Sequence, residues 1–226
     1  TILNFAERKG VRTCVRELEI RRERQKREVV TLTENEISKI QQTEVPKELQ
    51  HAKDWLLISC YTGQRFSDFM NFDYHNLQCI GEKMCLSFVQ QKTKKDILLP
   101  LHPDVLNTVK RNGNGFPKLL DIQHYNDDIK EIGRLANLNL LVKARKRFGF
   151  RSKIVEAEKW EFLSSHIGRR SFATNFYGKI PTPLLMEATG HSTEQMFLRY
   201  INPVDKDRAL SLGSYFDKMY EERVAV

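Results

Sequence analysis

SHIGRRSFATNFY, residues 165–177, and GHSTEQMFLRY, residues 190–200, are the most informative stretches of the chain. In the first, His166 and Arg169 are three positions apart, so a helix would place them on one face. In the second, a glycine and a histidine are followed, nine residues after the histidine, by Tyr200. Two imidazoles, a guanidinium and a phenol in one small volume can hold a phosphate. This pattern suggests covalent attack on a phosphodiester.

Local signals around this stretch indicate short helices. The prolines at 181 and 183 favour a helix start, and Gly190 is typical of a helix stop. Ser192 and Gln195 form the pattern of a capping box, which predicts a new short helix that ends near Tyr200. No cluster of carboxylates accompanies these residues, so the sequence predicts neither a metal nor a cofactor.

Composition agrees with a polyanionic partner. The chain has 226 residues and a formal net charge of +8, and 40% of its residues are hydrophobic, enough for a full core. No apolar run approaches the roughly 20 residues of a membrane span, and no signal peptide opens the chain. The four cysteines show no C-x-x-C pair, which favours reduced core thiols. We therefore expect a cytoplasmic protein with no membrane association.

The rest of the chain predicts an α+β fold, mainly helical, with a small three-stranded antiparallel sheet. Thr33 and Glu36 form a capping box before the first apolar helical pattern. Residues 77–80, 83–89 and 96–101 are predicted as the three strands, since they are short, apolar and separated by turn residues.

A second, basic β-hairpin is predicted beyond the sheet. Residues 143–153 read KARKRFGFRSK, with a glycine at 149, and alternation on both sides pairs 141–148 with 154–162. The basic charges predict contacts with a DNA backbone, although a solvated hairpin tip explains them as well.

Further upstream, residues 62–68 read TGQRFSD and place Asp68 three residues after Arg65. Together with the Q-K-T turn at 91–93 and the two C-terminal stretches, this segment resembles the tyrosine recombinase (phage integrase) family over residues 31–204. Separated motifs in the order and spacing of the family make the likeness specific. The finer pattern is similar to integrases of bacterial conjugative or mobilisable elements.

The resemblance implies a catalytic set: Arg65, Lys92, His166, Arg169, His191 and Tyr200. The two arginines would clamp the scissile phosphate and Asp68 would orient Arg65. Tyr200 would attack phosphorus and leave a 3′-phosphotyrosyl link.

Three supporting roles follow from the same resemblance. His166 is the candidate base, and His191 would hydrogen-bond the phosphate. Lys92 would protonate the departing 5′-oxygen, although Lys94 and Lys95 lie in the same turn.

Contacts to DNA are expected from basic residues in the turn, the hairpin and the helix of the H-x-x-R motif: Lys94, Lys95, Lys143, Arg145, Lys146, Arg147, Arg151 and Arg170. For Arg170, the second arginine of the pair, a structural role fits as well.

The resemblance also shapes the expected organisation. Residues 1–30 are interpreted as a basic arm or linker remnant, 31–204 as the catalytic domain and 205–226 as a C-terminal helical tail. Members of the family usually carry a further N-terminal helical domain that helps to clamp DNA, so the sequence is interpreted as a catalytic-domain fragment. An apolar stripe between Leu210 and Met219 either docks on a neighbouring protomer or packs on its own domain.

The function implied is site-specific DNA recombination in the integration or excision of a mobile element. The implied partners are double-stranded DNA and a homotetramer on paired sites, with a monomer in the absence of DNA, and the implied place of action is the bacterial nucleoid. Two alternatives remain: strand nicking and closing of the type IB topoisomerase kind, and a catalytically silent DNA-binding module. A covalent link to DNA excludes the silent module, and tetramers on paired sites distinguish a recombinase from a topoisomerase.

Overall fold

Helices and two small β-sheets make up this computed structural model, which describes residues 2–13, 29–149 and 151–201 together with Gly213, Asp217 and Tyr220. The helices are α1 (Ile2–Arg8), α2 (Glu34–Gln42), α3 (Lys47–Thr62), α4 (Phe66–Phe69), α5 (Pro103–Arg111), α6 (Ile122–Leu135), α7 (Ile167–Phe176), α8 (Thr182–Thr189) and α9 (Glu194–Leu198). The strands are β1 (Leu77–Ile80), β2 (Lys83–Val89), β3 (Asp96–Pro100), β4 (Leu141–Phe148) and β5 (Arg151–Glu158). The predicted α+β class is confirmed.

Helix α3 is the centre of the main core and is buried on every side from Ala52 to Cys60. Trp55 is fully buried and stacks on Phe116, which anchors the loop between α5 and α6. The buried polar side chains of α3 have hydrogen-bond partners, and Asp54, for example, accepts from Arg111 and Asn112. Buried polar groups need such partners, because an unpaired one would destabilise the fold.

The beginning of α2 follows the predicted capping box. The Thr33 side chain accepts from the Glu36 N–H, and the Glu36 carboxylate accepts from the Thr33 N–H. Just before it, Leu32 donates its N–H to Ser171 Oγ at 2.8 Å and accepts from Asn175 Nδ2. These two hydrogen bonds attach the segment before α2 to helix α7.

The three-stranded sheet has the order β1-β2-β3 and is antiparallel throughout. The pair Ile80 and Lys83 encloses the predicted tight turn, with Gly81 at φ 57°. Leu86 and Ile97 turn their side chains into the protein interior. These side chains anchor β2 and β3 to the protein interior.

The basic hairpin is present, but its second strand is earlier than the predicted 154–162. Phe148 pairs with Arg151 and Leu141 pairs with Glu158, so the strand occupies 151–158. Residues 159–162 form a 3-10 helix instead, because Lys159 Nζ reaches the Glu36 carboxylate at 2.6 Å and draws the chain back to the body of the protein.

A smaller apolar cluster carries the C-terminal part of the domain. Phe172, Leu185 and Phe197 are buried together, and the ring of Tyr200 packs against them.

The predicted capping box of Ser192 and Gln195 is wrong: Thr193 is the N-cap of α9, and its hydroxyl accepts from the Met196 N–H.

Within the described residues, no helix has the length and apolar character that a membrane crossing requires. Three predictions lie largely outside the described residues: the arm at 1–30, the tail at 205–226 and the apolar stripe between Leu210 and Met219.

The tightest helix contact generates a stability prediction. Where α7 crosses α3, a Cβ at Gly168 would overlap Ser59 Oγ and lie 2.6 Å from Ser59 Cβ. Gly168→Ala should therefore lower the free energy of unfolding by roughly 1–3 kcal/mol, as overpacking does, measured by urea unfolding. Gly115→Ala is the control, since its Cβ would meet only Asn112 O at 3.6 Å. Equal stability of the two variants would contradict the proposed close contact.

Candidate active site

Two helices end in the same way at one point in the molecule. Helix α3 stops at Gly63 with φ 67°, and helix α8 stops at Gly190 with φ 70°, both in the left-handed region that glycine adopts without strain. Each glycine follows a threonine, Thr62 or Thr189. The last carbonyls of a helix lack partners within it and carry partial negative charge, so both ends favour a cation.

Arg169 of helix α7 supplies that cation. Its side chain is only 1% exposed; Nη1 donates to Gly63 O at 2.8 Å, and Nη2 donates to Thr189 O at 2.7 Å. Burial, and then the positive charge of Arg65, lower the pKa of Arg169 to about 10, so it stays charged at neutral pH. Among the described residues, no hydrogen-bond partner reaches its buried Nε.

Arg65 follows the first of these glycines as the N-cap of α4. Its Nη1 donates to Gln90 Oε1 at 3.0 Å and lies 3.7 Å from Asp68 Oδ2. The other oxygen of Asp68 accepts from the Gln91 N–H at 2.8 Å. Asp68 thus forms an ion pair with Arg65 and also holds the β2–β3 turn.

His191 follows the second glycine and is 6% exposed. Its Nε2 lies 3.0 Å from Arg169 Nη2, and its Nδ1 lies 2.8 Å from Thr189 Oγ1. Because a guanidinium only donates, Nε2 must accept, which assigns the neutral imidazole with its hydrogen on Nδ1. Burial, and then the charge of Arg169, lower the pKa of His191 to about 3.

His166 is the N-cap of α7, one turn before Arg169. Its side chain reaches the surface, but partial burial and then the charges of Arg170 and Arg169 lower its pKa. The charges of Arg65 and Lys92 lower the pKa of His166 in the same direction. A neutral imidazole at this position can accept a proton.

Tyr200 lies directly against the buried cation. The centroid of its ring is 5.3 Å from Arg169 Cζ and 4.9 Å from the ring centroid of His191. A cation over an aromatic face at this distance is favourable. Arg65, Arg169, His191 and Tyr200 therefore lie around one basic site, while His166 stands one turn before Arg169 and Lys92 lies in the exposed turn that follows Gln90.

The predicted DNA-contacting residues fall on three separate elements. Lys94 and Lys95 share the turn with Lys92, and Lys94 has a left-handed φ of 55°. The hairpin carries a second group: Lys143, Arg145, Lys146, Arg147 and Arg151.

Carboxylates lie close to Lys143 and Lys146 of the hairpin group. Lys143 lies 3.5 Å from Glu156, and Lys146 lies 2.8 Å from Glu161. Arg170, which is partly buried on α7, belongs to neither the turn nor the hairpin.

Sequence reasoning missed three polar residues behind the arginines. Gln64 and Gln90 are fully buried, and Thr189 is buried beside them. Gln64 stands inside the TGQR stretch, but no periodicity distinguishes Gln90 from an ordinary strand end. Within the described part of the chain no group of histidines, cysteines and carboxylates is placed to hold a metal ion.

Comparison with known proteins identifies relatives of this arrangement. The family model described as "Phage integrase family" matches residues 30–207. A search of curated protein sequences gave no match.

Several solved structures share the fold. XerH recombinase in a post-cleavage complex with a palindromic difH substrate is 19% identical with a TM-score of 0.54, covering 87% of this chain and 52% of that chain. A lambda integrase dimer bound to a COC′ core site is 20% identical with a TM-score of 0.58, covering 87% and 55%. The Tn1549 transposon integrase in complex with circular intermediate DNA is 15% identical with a TM-score of 0.55, covering 93% and 73%. The chain thus spans about half the length of the XerH chain, and at these identities the likeness establishes the fold.

The lowered pKa of His191 predicts a pH-dependent stability. The folded pKa is about 3 and the ordinary value is 6.5, so the unfolded chain takes up a proton first as the pH falls. The stability that neutral His191 contributes is complete above pH 6.5 and decreases below it, by up to about 1.4 kcal/mol per pH unit. His191→Gln should reduce the slope of unfolding free energy between about pH 6 and pH 4, measured by urea titration.

The exposed His75→Gln variant, measured in parallel, is the matched control for replacing a histidine by glutamine. A wild-type slope in His191→Gln would show that His191 takes up its proton equally in the folded protein.

Proposed function

This chain is a member of the phage integrase family, and we propose that it is the catalytic part of a site-specific tyrosine recombinase that integrates or excises a mobile DNA element. One observation carries the proposal: the phenol of Tyr200 lies against Arg169 and His191, in the basic site that Arg65 also faces. A nucleophile and two guanidinium groups around one small volume suit the transfer of a phosphoryl group.

Arg65 and Arg169 would bind the non-bridging oxygens of the scissile phosphate. Arg169 is fixed by two backbone carbonyls, so it needs no rearrangement as negative charge develops in the transition state. Its buried Nε is a donor that an anionic oxygen would satisfy. Asp68 supports Arg65 and, through the Gln91 N–H, the turn beside it.

In the chemical step, the phenolic oxygen of Tyr200 bonds to phosphorus while the bond from phosphorus to the 5′-oxygen breaks. His166 would accept the phenolic proton, which requires the neutral imidazole that its lowered pKa favours. Lys92 would donate a proton to the 5′-oxygen. The products are a 3′-phosphotyrosyl link and a free 5′-hydroxyl, and attack by the 5′-hydroxyl of a second strand reverses the step without ATP.

His191 is assigned a supporting role. In this structure its Nε2 accepts from Arg169, so it orients the guanidinium before DNA binds. To donate to a phosphate oxygen, as the family resemblance implies, the ring would have to carry a proton on Nε2.

Binding along the duplex would come from sequence-independent charge contacts. The hairpin cations and the turn lysines would neutralise phosphates, which makes affinity salt-dependent. Action on paired sites by a tetramer, at the bacterial nucleoid, belongs to the same proposal. The lambda integrase tetramer bound to a Holliday junction, an 18% identical structure with a TM-score of 0.56, supports that assembly by analogy.

Covalent capture tests the nucleophile. The protein is incubated with a pool of random-sequence duplex DNA, denatured rapidly, and the DNA attached to protein is sequenced to define a preferred site. On that site Tyr200→Phe should lower adduct formation by on the order of a thousandfold or more, because the attacking oxygen is gone.

Tyr177→Phe is the matched control, since Tyr177 packs in the same apolar cluster as Tyr200. It should keep its adduct. Binding without any adduct in the wild type would favour the silent DNA-binding module, and adducts without strand exchange between paired sites would favour the topoisomerase activity.

Metal removal gives an independent prediction. Because the arginines supply the positive charge at phosphorus, excess EDTA should leave the rate of adduct formation unchanged. A magnesium-dependent nuclease in the same reaction serves as the control and should lose activity. An adduct that disappears with EDTA and returns with Mg²⁺ would overturn this part of the mechanism.

A further inference from the structure

A buried amide next to Arg65 is used by none of the roles above. Gln90 follows the last residue of β2 and is fully buried, and its Oε1 accepts from Arg65 Nη1 at 3.0 Å. The same oxygen accepts from Thr93 Oγ1 at 2.6 Å. Thr93 lies in the turn at residues 90–95 that carries Lys92, called the lysine turn below. Gln90 Oε1 therefore connects Arg65 to the lysine turn.

The nitrogen of the same amide reaches the other side of the site. Gln90 Nε2 donates to Gln64 Oε1 at 2.9 Å and to Thr189 O at 3.1 Å. Thr189 O is also the acceptor for Arg169 Nη2. An amide has two lone pairs and two N–H donors, so these four hydrogen bonds use its full capacity.

The backbone of Gln90 closes the turn as well. Its N–H donates to Lys95 O at 2.9 Å, and its carbonyl accepts from the Lys94 N–H at 2.9 Å. A Cβ at Gly190 would overlap Gln90 Oε1 and lie 2.7 Å from Gln90 Cδ. The amide is therefore wedged between the lysine turn and the glycine that ends helix α8.

We propose that Gln90 is a positioning residue that fixes the lysine turn relative to the two arginines. It does so through its hydrogen bonds to Arg65 and to the Thr189 carbonyl, which also binds Arg169. The proposal rests on the proposed function, because it assigns Lys92 as proton donor. Gln64 supports the arrangement: its Nε2 donates to Thr62 O and Ala188 O, near the ends of α3 and α8. A fully bonded buried amide resists displacement, since each group left unpaired destabilises that arrangement.

This role has a chemical signature that a purely structural role lacks. If Gln90 places Lys92, its loss slows proton delivery to the 5′-oxygen. A 5′-bridging sulfur in place of that oxygen leaves as a thiolate, which needs no proton. Sulfur substitution should therefore restore the rate of adduct formation when the variant misplaces Lys92. It should not restore that rate when the variant is defective in folding or in DNA binding.

The test variant is Gln90→Met, which keeps the length of the side chain and removes its four hydrogen bonds. Adduct formation is timed on two versions of the DNA site captured by the wild type, with oxygen or with sulfur at the 5′-bridging position. Relative to the wild type, Gln90→Met should raise the ratio of the sulfur rate to the oxygen rate by about tenfold or more, a part of what general acid catalysis contributes. Lys92→Ala should raise the same ratio.

Gln91→Ala is the matched control, because the Gln91 side chain is exposed and only its backbone N–H holds Asp68. Its ratio should equal that of the wild type. Thr93→Val removes one hydroxyl at a partly exposed position, and it should raise the ratio even if Gln90→Met fails to fold.

The outcomes separate this inference from the proposed function. A wild type that forms no adduct on either DNA overturns both. An active wild type overturns only the positioning role if Gln90→Met, or Thr93→Val in its place, slows both substrates equally or neither. If sulfur fails to rescue Lys92→Ala, Lys92 is not the proton donor, and both that assignment and the positioning role of Gln90 are overturned, while attack by Tyr200 stands.

Discussion

The buried charge of Arg169 is the constraint on which the rest of the site depends. A guanidinium inside a protein destabilises the fold unless its donors find partners, and here two backbone carbonyls accept hydrogen bonds from Nη1 and Nη2. Those carbonyls belong to Gly63 and Thr189, at the C-terminal ends of α3 and α8, where the helix dipoles add favourable charge. Both helices must therefore end at the same place. Arg65 lies two residues after Gly63, and His191 lies immediately after Gly190, so the two helix ends also position these side chains.

Much of this arrangement is encoded locally and could be predicted. Gly190 stops a helix because the left-handed conformation suits glycine, and the signal is visible without neighbours. The capping box at Thr33 is equally local and is confirmed. The spacing of the proposed catalytic residues was also predictable, because the motifs themselves contain it. What each guanidinium binds in the resting protein was not, because its acceptors come from other helices.

Non-local contacts explain where the sequence predictions fail. Ser192 and Thr193 are both capable N-caps, and burial of Phe197 in the small cluster favours the start at Thr193. The second hairpin strand ends before Lys159, whose partner Glu36 lies far away in the sequence. Gln90 is separated from Thr189 by 99 positions, and no local rule predicts their hydrogen bond. Tertiary contacts override local signals wherever two starts or stops are nearly equal.

The site divides into a firmly held group of charged side chains and the proposed nucleophile, Tyr200, which packs against it. Arg169 belongs to helix α7, which crosses the main core so closely at Gly168 that no Cβ fits. Tyr200 instead packs on a small cluster whose described buried members are Phe172, Ala173, Leu185, Phe197 and Ile201. A small cluster buries less apolar surface than the main core, so moving Tyr200 costs less free energy than moving Arg169. Since the tyrosine ring lies over the guanidinium while Arg169 Nε has no partner among the described residues, an entering phosphate would meet a fixed donor and a movable ring. This division suits a reaction in which the charge must be placed in advance and the nucleophile must reach phosphorus, bond to it and be released again.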